Sequence, residues 1–333
     1  MDKKKWDARS LIGLSGSYWQ ACALHAGVAL DVFTQMADAS LTAEQAAEKI
    51  GADARATAML LNALTAMGLL IKESGRYRNT DDAIRYLSRP SDEYTGFIIR
   101  HHHHLMASWQ RLAEAVTTGK PVRDRVSFGG HNERESFLMG MFNMAMTVAP
   151  DIVPRIDLSG RRRLLDLGGG PGTYAIHFCK ANPGLSAVVF DLPTSRPFAE
   201  GTIERFGLKE RIDFMGGDYI KDTLPQGFDV VWLSQILHSE GPAEGRAIIR
   251  KAAAALEPGG LIAIHEFIMD DEESGPLFPA LFSLNMLLGT PYGRAYSERA
   301  LKSMLAETGI GSIRRIPLDA SKDSGVIAGI KQA

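Results

Sequence analysis

The 333-residue sequence has little cysteine, almost no net charge and no long apolar run. Its two cysteines, Cys22 and Cys179, lie far apart, which excludes a disulfide framework and a paired CxxC metal site. A net charge of −2 argues against a general affinity for nucleic acid or anionic membranes. No window approaches ~18 consecutive apolar residues, and no apolar core follows the first lysines, so we expect neither a membrane span nor a signal peptide. These features predict a cytoplasmic protein.

What is present is an ordinary globular composition, 45% hydrophobic and 23% charged, in two halves with different patterns. Residues 1 to about 150 are mainly helical in pattern. An amphipathic helix interrupted by Gly27 is followed by a helix with Thr42 as its cap, Gln45 three residues later and Gly51 as its end. A third helix precedes a predicted β-hairpin that turns at residues 74–75. Three helices and a hairpin predict a winged-helix arrangement.

Winged-helix domains often bind DNA, so a DNA-binding regulator is an alternative for this half. The helix in the recognition position has Arg55 as its single basic residue, and residues 1–90 contain eleven Lys/Arg against ten Asp/Glu. A phosphate-binding face needs a basic excess. The balance favours dimerisation, with the apolar segment Met59–Leu70 expected at the subunit interface.

From Arg161 onward, apolar β-rich runs alternate with helical segments. Five runs predict strands: "RRLLDLG", "SAVVFDL", "RIDFMGGD", "FDVVWLSQIL" and "GLIAIHEFI". This alternation predicts an α/β fold with a doubly wound parallel sheet. Its ligand crevice is expected at the carboxyl ends of the strands.

The first strand runs into a glycine-rich turn, "LLDLGGGPGTY". The turn does not match the dinucleotide pattern G-x-G-x-x-G, because Thr173 occupies the third glycine position, and it lacks the Lys-Ser/Thr of a P-loop. What remains is D-x-G-x-G-x-G, formed by Asp166, Gly168, Gly170 and Gly172. Glycines let the backbone approach a bulky uncharged sugar–sulfur skeleton, and Asp166 suits a nearby ammonium group.

Acidic residues follow the next two predicted strands. Asp191 ends the second strand, where a carboxylate can accept both ribose hydroxyls of either NAD or S-adenosylmethionine. Asp218 follows the third strand, where it suits an adenine amino group, and Tyr219 could stack on the ring. Taken with the glycine turn, this order predicts S-adenosylmethionine as the cofactor.

Together the motifs resemble those of the S-adenosylmethionine-dependent small-molecule O-methyltransferases of the plant caffeate and bacterial antibiotic-pathway type. The resemblance rests on "LLDLGGGPG", "VVFDLP", "GGDY", "LSQILHSE", "LEPGGLIAIHEF" and "FNMAM". It implies a Rossmann-like class I methyltransferase sheet, a small-molecule acceptor, S-adenosylhomocysteine as a product, and a homodimer. The implied organisation is a winged-helix dimerisation domain over 1–95, a helical linker contributing to the active site over 96–155, and a catalytic domain over 156–333.

The resemblance also implies roles for individual residues. His238 matches the family's catalytic base, a group suited to deprotonating a hydroxyl near neutral pH, and Glu266 matches the glutamate that orients it. Further family positions are Leu192 and Ser234 in the cofactor site, and Phe142, Met146, Asn285 and Met286 around the acceptor.

Some positions depart from the family pattern. Ser239 stands where an aspartate often follows the base, Ala295 where a second glutamate is expected, and Ser234 where plant enzymes have a lysine. Because these polar and charged groups of the family pattern are missing, S- or C-methylation stays open as an alternative to O-methylation. A winged-helix regulator that senses S-adenosylmethionine is the alternative from another class.

Four consecutive histidines, residues 101–104, lie in a helical segment that the resemblance places over the active site. Only His101 and His104 share a face, by their i, i+3 spacing. A catalytic zinc needs three convergent protein ligands, so His238 would have to be the third and could not also act as a base. We therefore predict that the site holds no metal and that His104 contacts the acceptor.

Overall fold

The computed structural model describes residues 5–316, 318 and 323–332, apart from the side chain of Phe128. The chain divides into two compact units, residues 1–105 and residues 106–333. The division falls inside one helix, within the segment 96–155 that is predicted as a linker. The boundaries at 95 and 155 stay predictions.

The N-terminal unit is mainly helical, as predicted. Its helices are α1 (Ala8–Gly16), α2 (Tyr18–Ala29), α3 (Val32–Met36), α4 (Ala43–Ile50), α5 (Ala54–Ala66), α6 (Asp81–Leu87) and the first part of α7 (Gly96–Trp109). Its strands, β1 (Leu70–Glu73) and β2 (Arg76–Asn79), form an antiparallel hairpin. The hairpin turns at Ser74 and Gly75, both with positive φ (49° and 78°), the geometry of a tight two-residue turn.

The predicted ends of α4 are confirmed. The amide of Gln45 donates to the Thr42 side chain, the Gln45 side chain accepts from the Thr42 amide, and Gly51 ends the helix at φ 67°. This reciprocal capping satisfies two amides that have no partner inside the helix.

The interruption predicted at Gly27 is wrong. Helix α2 continues through Gly27, and the chain bends instead at Asp31, whose φ is 56°. A Cβ at Gly27 would lie 3.1 Å from the Phe33 ring and 3.2 Å from a Leu64 methyl group. The glycine therefore permits close packing without breaking the helix.

The second unit contains the remaining elements. Its helices are the end of α7, α8 (Leu112–Thr118), α9 (His131–Ile152), α10 (Thr173–Ala181), α11 (Arg196–Arg205), α12 (Pro242–Ala255), α13 (Leu277–Gly289) and α14 (Glu298–Ala306). Its strands are β3 (Arg163–Leu167), β4 (Ser186–Asp191), β5 (Ile212–Gly216), β6 (Phe228–Ser234), β7 (Leu256–Met269), β8 (Tyr296–Ser297), β9 (Ile310–Ile316) and β10 (Ser324–Lys331).

The main sheet has the strand order β5-β4-β3-β6-β7-β10-β9, with β8 paired to β7 off this path. The five predicted strands are all present and run parallel. The predicted parallel arrangement therefore holds for these five strands, whereas β10, for which no strand is predicted, pairs antiparallel with both β7 and β9 and makes the sheet mixed. The strand order reverses between β3 and β6, so a ligand crevice is expected at their carboxyl ends.

Helix α9 is the apolar helix of greatest length in the described chain. The stretch His131–Arg155 contains an 18-residue window with a mean hydropathy of 1.3 and passes a length and composition test for a membrane span. A core helix passes the same test. Ala149 and Ile152 of α9 are buried in the cluster that also contains Phe178 of α10 and Trp232 of β6.

Candidate active site

The predicted glycine turn lies between β3 and α10 and has the backbone that requires glycine. Gly168, Gly170 and Gly172 all have positive φ, at 67°, 51° and 77°. At Gly168 a Cβ would also lie 2.6 Å from a methyl group of Ile236. A side chain at this position would therefore both strain the backbone and fill the crevice.

Asp166 lies beneath this turn and is only 1% exposed. Its Oδ2 accepts a hydrogen bond from the amide of Ala175 at 3.2 Å. Its Oδ1 is buried and has no hydrogen-bond partner among the described residues. Burial raises the pKa of Asp166 to about 7. An unpartnered buried carboxylate oxygen fits a cationic ligand group such as the ammonium of S-adenosylmethionine.

Asp191 lies at the end of β4, and both of its carboxylate oxygens already accept hydrogen bonds. Oδ2 accepts from the Gly170 amide at 2.8 Å. Oδ1 accepts from the Leu192 amide at 2.7 Å and from the Ser195 hydroxyl at 2.8 Å. A carboxylate offers about four acceptor positions, so about one remains. Two ribose hydroxyls would therefore compete with Ser195. Burial raises the pKa of Asp191, and these three hydrogen bonds oppose the rise.

The third predicted element, Asp218 and Tyr219, follows β5. The Asp218 carboxylate accepts from the Ile220 amide at 2.9 Å and lies 3.1 Å from the Lys221 ammonium. The Tyr219 ring borders the glycine turn, since a Cβ at Gly168 would lie 3.4 Å from it. The structure therefore brings Tyr219 to the turn, whereas Asp218 has its nearest charged partner on the exposed side.

His238 and Glu266 form a buried pair. His238 Nδ1 lies 2.7 Å from Glu266 Oε2, and the two residues are 7% and 1% exposed. Glu266 Oε1 accepts from the Leu237 amide at 2.8 Å and contacts the His238 amide at 3.4 Å. A carboxylate only accepts, so Nδ1 carries the shared hydrogen and Nε2 is left as the acceptor nitrogen.

Phenylalanine rings surround this pair, a feature that the sequence analysis missed. Phe282 packs edge-on against His238, with ring centroids 4.7 Å apart, and Phe267 lies 6.4 Å away nearly parallel to it. The ring of Phe267 also packs against those of Phe282 and Phe278, with centroids 4.8 Å apart in each pair. The alternation of β7 and the apolar face of α13 are the signals in the sequence, but neither shows that the two elements meet at His238.

Ser234 contacts a buried polar group on the neighbouring strand. Its hydroxyl lies 3.0 Å from His265 Nδ1, and the Tyr174 hydroxyl lies 3.2 Å from the same nitrogen. Burial lowers the pKa of His265 to about 4, so its imidazole is neutral. Ser234 is therefore held between β6 and β7 at the edge where β3 also ends.

The predicted acceptor residues are spread over several elements. On α9, Phe142 is buried, and its ring centroid lies 6.3 Å from that of Phe206. Met146 Sδ lies 3.4 Å from His177 Nε2. On α13, Asn285 contacts Arg123 at 3.4 Å and Met286 is buried. None of these contacts links them to His238, and their role stays a prediction.

The four histidines lie on α7. His101 is buried and His104 half-buried, whereas His102 and His103 are exposed, as expected for successive residues of one helix. The ring centroids of His103 and His104 are 6.1 Å apart, and those of His103 and His25 of α2 are 5.6 Å apart. Across the described ranges, no group of three or more His, Cys, Asp or Glu side chains is placed to hold a metal ion. The predicted contact between His104 and the acceptor stays a prediction.

Two family models together match most of the chain. Residues 12–89 match the O-methyltransferase dimerisation domain, and residues 109–311 match the O-methyltransferase domain. The 3-hydroxy-5-methyl-1-naphthoate 3-O-methyltransferase of Streptomyces sahachiroi is 36% identical over 327 residues, covering 96% of this chain and 94% of that enzyme. The tetracenomycin 8-O-methyl transferase TcmO of Streptomyces glaucescens is 33% identical, covering 91% of each chain.

Two solved structures show the same fold over the full length. PigF with S-adenosylhomocysteine superposes with a TM-score of 0.89 at 28% identity, covering 98% of this chain and 100% of PigF. Human N-acetylserotonin methyltransferase with S-adenosylmethionine superposes with a TM-score of 0.88 at 26% identity, covering 100% of both chains. The chain therefore belongs to the O-methyltransferase family, and it is an S-adenosylmethionine-dependent O-methyltransferase of small molecules with an N-terminal dimerisation domain.

Proposed function

We propose that His238 is the general base of the methyl transfer and that Glu266 orients it. The observation that carries this proposal is the 2.7 Å contact between His238 Nδ1 and the buried Glu266 carboxylate. With Nδ1 occupied, Nε2 is free to accept the proton of an acceptor hydroxyl. The imidazolium that forms is stabilised by the carboxylate, which itself is held by backbone amides of Leu237 and His238.

The residues around the glycine turn fit the cofactor and would hold it. Asp166 would bind the ammonium group, Asp191 and Leu192 the ribose, and Asp218 with Tyr219 the adenine. Ser234 would contact the cofactor at the end of β6. When bound, S-adenosylmethionine supplies a methyl group already activated as a sulfonium, so the protein's tasks are positioning and deprotonation.

The acceptor that the site favours is a hydroxyl on an aromatic, largely apolar molecule. Phe282 and Phe267 form an apolar wall beside His238, and planar rings pack well against such walls. One Streptomyces relative is named for the substrate 3-hydroxy-5-methyl-1-naphthoate, and another is named for 8-O-methylation in tetracenomycin polyketide synthesis. Phe142, Met146, Asn285, Met286 and His104 remain candidate acceptor contacts.

The test is turnover of a hydroxylated aromatic panel, beginning with hydroxynaphthoates, with labelled methyl donor. Replacing His238 with Ala should lower turnover by ~10²–10⁴ and leave affinity for S-adenosylhomocysteine nearly unchanged. Near-normal turnover of the His238→Ala variant on its best acceptor would contradict the proposal.

One relative keeps C-methylation as a second candidate. The L-tyrosine C(3)-methyltransferase of Streptomyces lavendulae is 30% identical over 92% of this chain and 88% of that enzyme. Ser239 and Ala295, which replace two acidic residues of the family pattern, also favour an acceptor that needs less assistance. Locating the labelled methyl group in the product by NMR separates attachment to oxygen from attachment to carbon or sulfur.

The dimerisation domain indicates a homodimer. We propose further that neither nucleic acid nor membrane is a partner and that the enzyme works in the cytoplasm. The near-balanced charge of the N-terminal unit supports the first point, and the two free cysteines support a reducing setting. Passage through heparin without retention at low salt is the expected result. Retention on heparin would contradict the first point.

A further inference from the structure

A salt bridge joins the turn that carries His238 to a distant segment of the second unit. That segment, the strap, comprises residues 121–130 and leads into α9. The Arg125 guanidinium contacts both carboxylate oxygens of Glu240, at 2.5 Å and 2.9 Å, and donates to the Ser239 carbonyl at 3.0 Å. Glu240 is 5% exposed, so its charge is compensated almost wholly inside the protein.

The strap is attached at its other end as well. The amides of Val122 and Arg123 both donate to the Leu288 carbonyl, at 3.0 Å and 3.1 Å, and the Arg111 guanidinium donates to the Val122 carbonyl at 2.6 Å. The two bonds to Leu288 connect the strap to α13, the helix that carries Phe282, and the bond from Arg111 connects it to the residue that precedes α8. Arg125 is therefore presented to Glu240 by a backbone that is already fixed.

The turn 237–240 is consequently held from two sides. On the sheet side, Glu266 accepts from the Leu237 amide. On the other side, Arg125 of the strap donates to the Ser239 carbonyl and to the Glu240 carboxylate. The Tyr296 hydroxyl of β8 also donates to the Glu240 carbonyl, at 2.6 Å. His238 lies between these two sets of bonds, so its ring direction depends on both.

We propose that Arg125 is a positioning residue for the methyl transfer, which fixes the turn 237–240 and thereby aims the His238 imidazole. The proposal rests on the proposed role of His238 as the base. It also bears on Ser239, which stands where an aspartate often follows the base in the family. The acid next to that position, Glu240, does not assist the base directly but anchors its turn through Arg125.

The burial of the Glu240 carboxylate supplies the test, since the Arg125 side chain that compensates it is itself 30% exposed. Removing one partner leaves the other charge buried and unpaired, which destabilises the fold, whereas replacing both with apolar residues is often neutral. Arg125→Met should lower both the melting temperature and kcat. The double variant Arg125→Met with Glu240→Met should recover the melting temperature but keep a kcat lowered ~10–10²-fold, because a misplacement of about 1 Å can cost that much.

The readouts are kcat and KM for the best hydroxynaphthoate acceptor, thermal unfolding, and calorimetric affinity for S-adenosylhomocysteine. We expect KM and the affinity for S-adenosylhomocysteine to change less than about threefold. Arg125→Lys should recover part of kcat, because the lysine ammonium keeps the charge but cannot make the bidentate contact of the guanidinium. The matched control is Arg246→Met, which removes an exposed pair with Glu307 and should leave kcat unchanged. A double variant that recovers both stability and kcat would overturn the proposal and make the pair purely structural.

A second series separates this proposal from the one on which it rests. In a His238→Ala background, Arg125→Met should cause no further loss of kcat, because the residue it positions is gone. An equal loss in both backgrounds would overturn the positioning role while leaving His238 as the base. Normal turnover of His238→Ala alone would overturn both.

Discussion

The Gly170 amide and the Asp191 carboxylate are hydrogen-bonded to each other, with 2.8 Å between N and Oδ2. This bond joins the glycine turn after β3 to the end of β4. It means that Asp191 has a structural task in addition to its predicted contact with ribose. A change at Asp191 therefore alters the shape of the turn as well as its charge.

The first prediction concerns Asp191. Asp191→Ala should weaken binding of S-adenosylhomocysteine at least tenfold, which corresponds to about 1.4 kcal/mol, because hydrogen bonds to a charged acceptor are lost. Calorimetry measures the change. Ser195→Ala is the matched control: it frees one acceptor position on the carboxylate, so affinity should hold or rise. If the affinity of Asp191→Ala equals that of wild type, the ribose lies elsewhere.

The second prediction concerns the pH dependence caused by Asp166. Its pKa is raised from 3.8 to about 7 by burial, so the folded protein binds a proton that the unfolded chain releases. That contribution to stability is complete below about pH 4 and is lost as the pH rises through about 7. The melting temperature of wild type, measured relative to Asp166→Asn, should therefore fall across this range. A constant difference from pH 4 to 8 would contradict the assignment.

The same carboxylate makes a prediction for the cofactor. A bound ammonium group favours the ionised form of Asp166, so binding near pH 6–7 should release a proton. Calorimetry of S-adenosylhomocysteine in two buffers of different ionisation enthalpy measures the release. Asp166→Asn should abolish it, whereas release that is equal in both proteins would mean that the ammonium binds at another group.

The third prediction concerns the dimer. The predicted interface over Met59–Leu70 stays a prediction: Met59 is 62% exposed, whereas Leu61 and Leu64 are buried in the core of their own unit. Further exposed apolar side chains lie on α1 and the start of α2, namely Leu11, Ile12, Leu14, Tyr18 and Trp19. Ile12→Asp should weaken dimerisation in light scattering. The control Val116→Asp, at a similarly exposed apolar position on α8, should leave the dimer intact. Equal dimer stability in wild type and Ile12→Asp would contradict this interface.

The fourth prediction concerns metal. Activity should survive extensive chelation, and elemental analysis should find less than one metal ion per chain. The reason is that His238 pairs with Glu266 through Nδ1, and a metal on Nε2 would remove the base. Tightly held stoichiometric zinc or iron, with turnover lost on its removal, would count against the His238 mechanism.

Much of the fold could be predicted because its signals are local. The glycine turn depends on the backbone freedom of three residues close in sequence, and the five parallel strands appear as short apolar runs between helical segments. The error at Gly27 has the opposite cause. Whether a glycine breaks a helix or allows close packing depends on Phe33 and Leu64, which approach it only in the folded unit.

The sequence by itself determined the class of the protein and the order of the predicted cofactor residues along the chain, because these follow from motifs, while the resemblance to the family implied the candidate pair His238–Glu266. Only the tertiary structure decided what surrounds them. Arg125 and Glu240 are 115 residues apart, and Phe282 reaches His238 from a different helix. Such contacts depend on how the strap, α13 and the turn 237–240 meet in space. The periodicity or spacing within one segment does not predict these contacts, because they are set by the packing of elements distant in the chain.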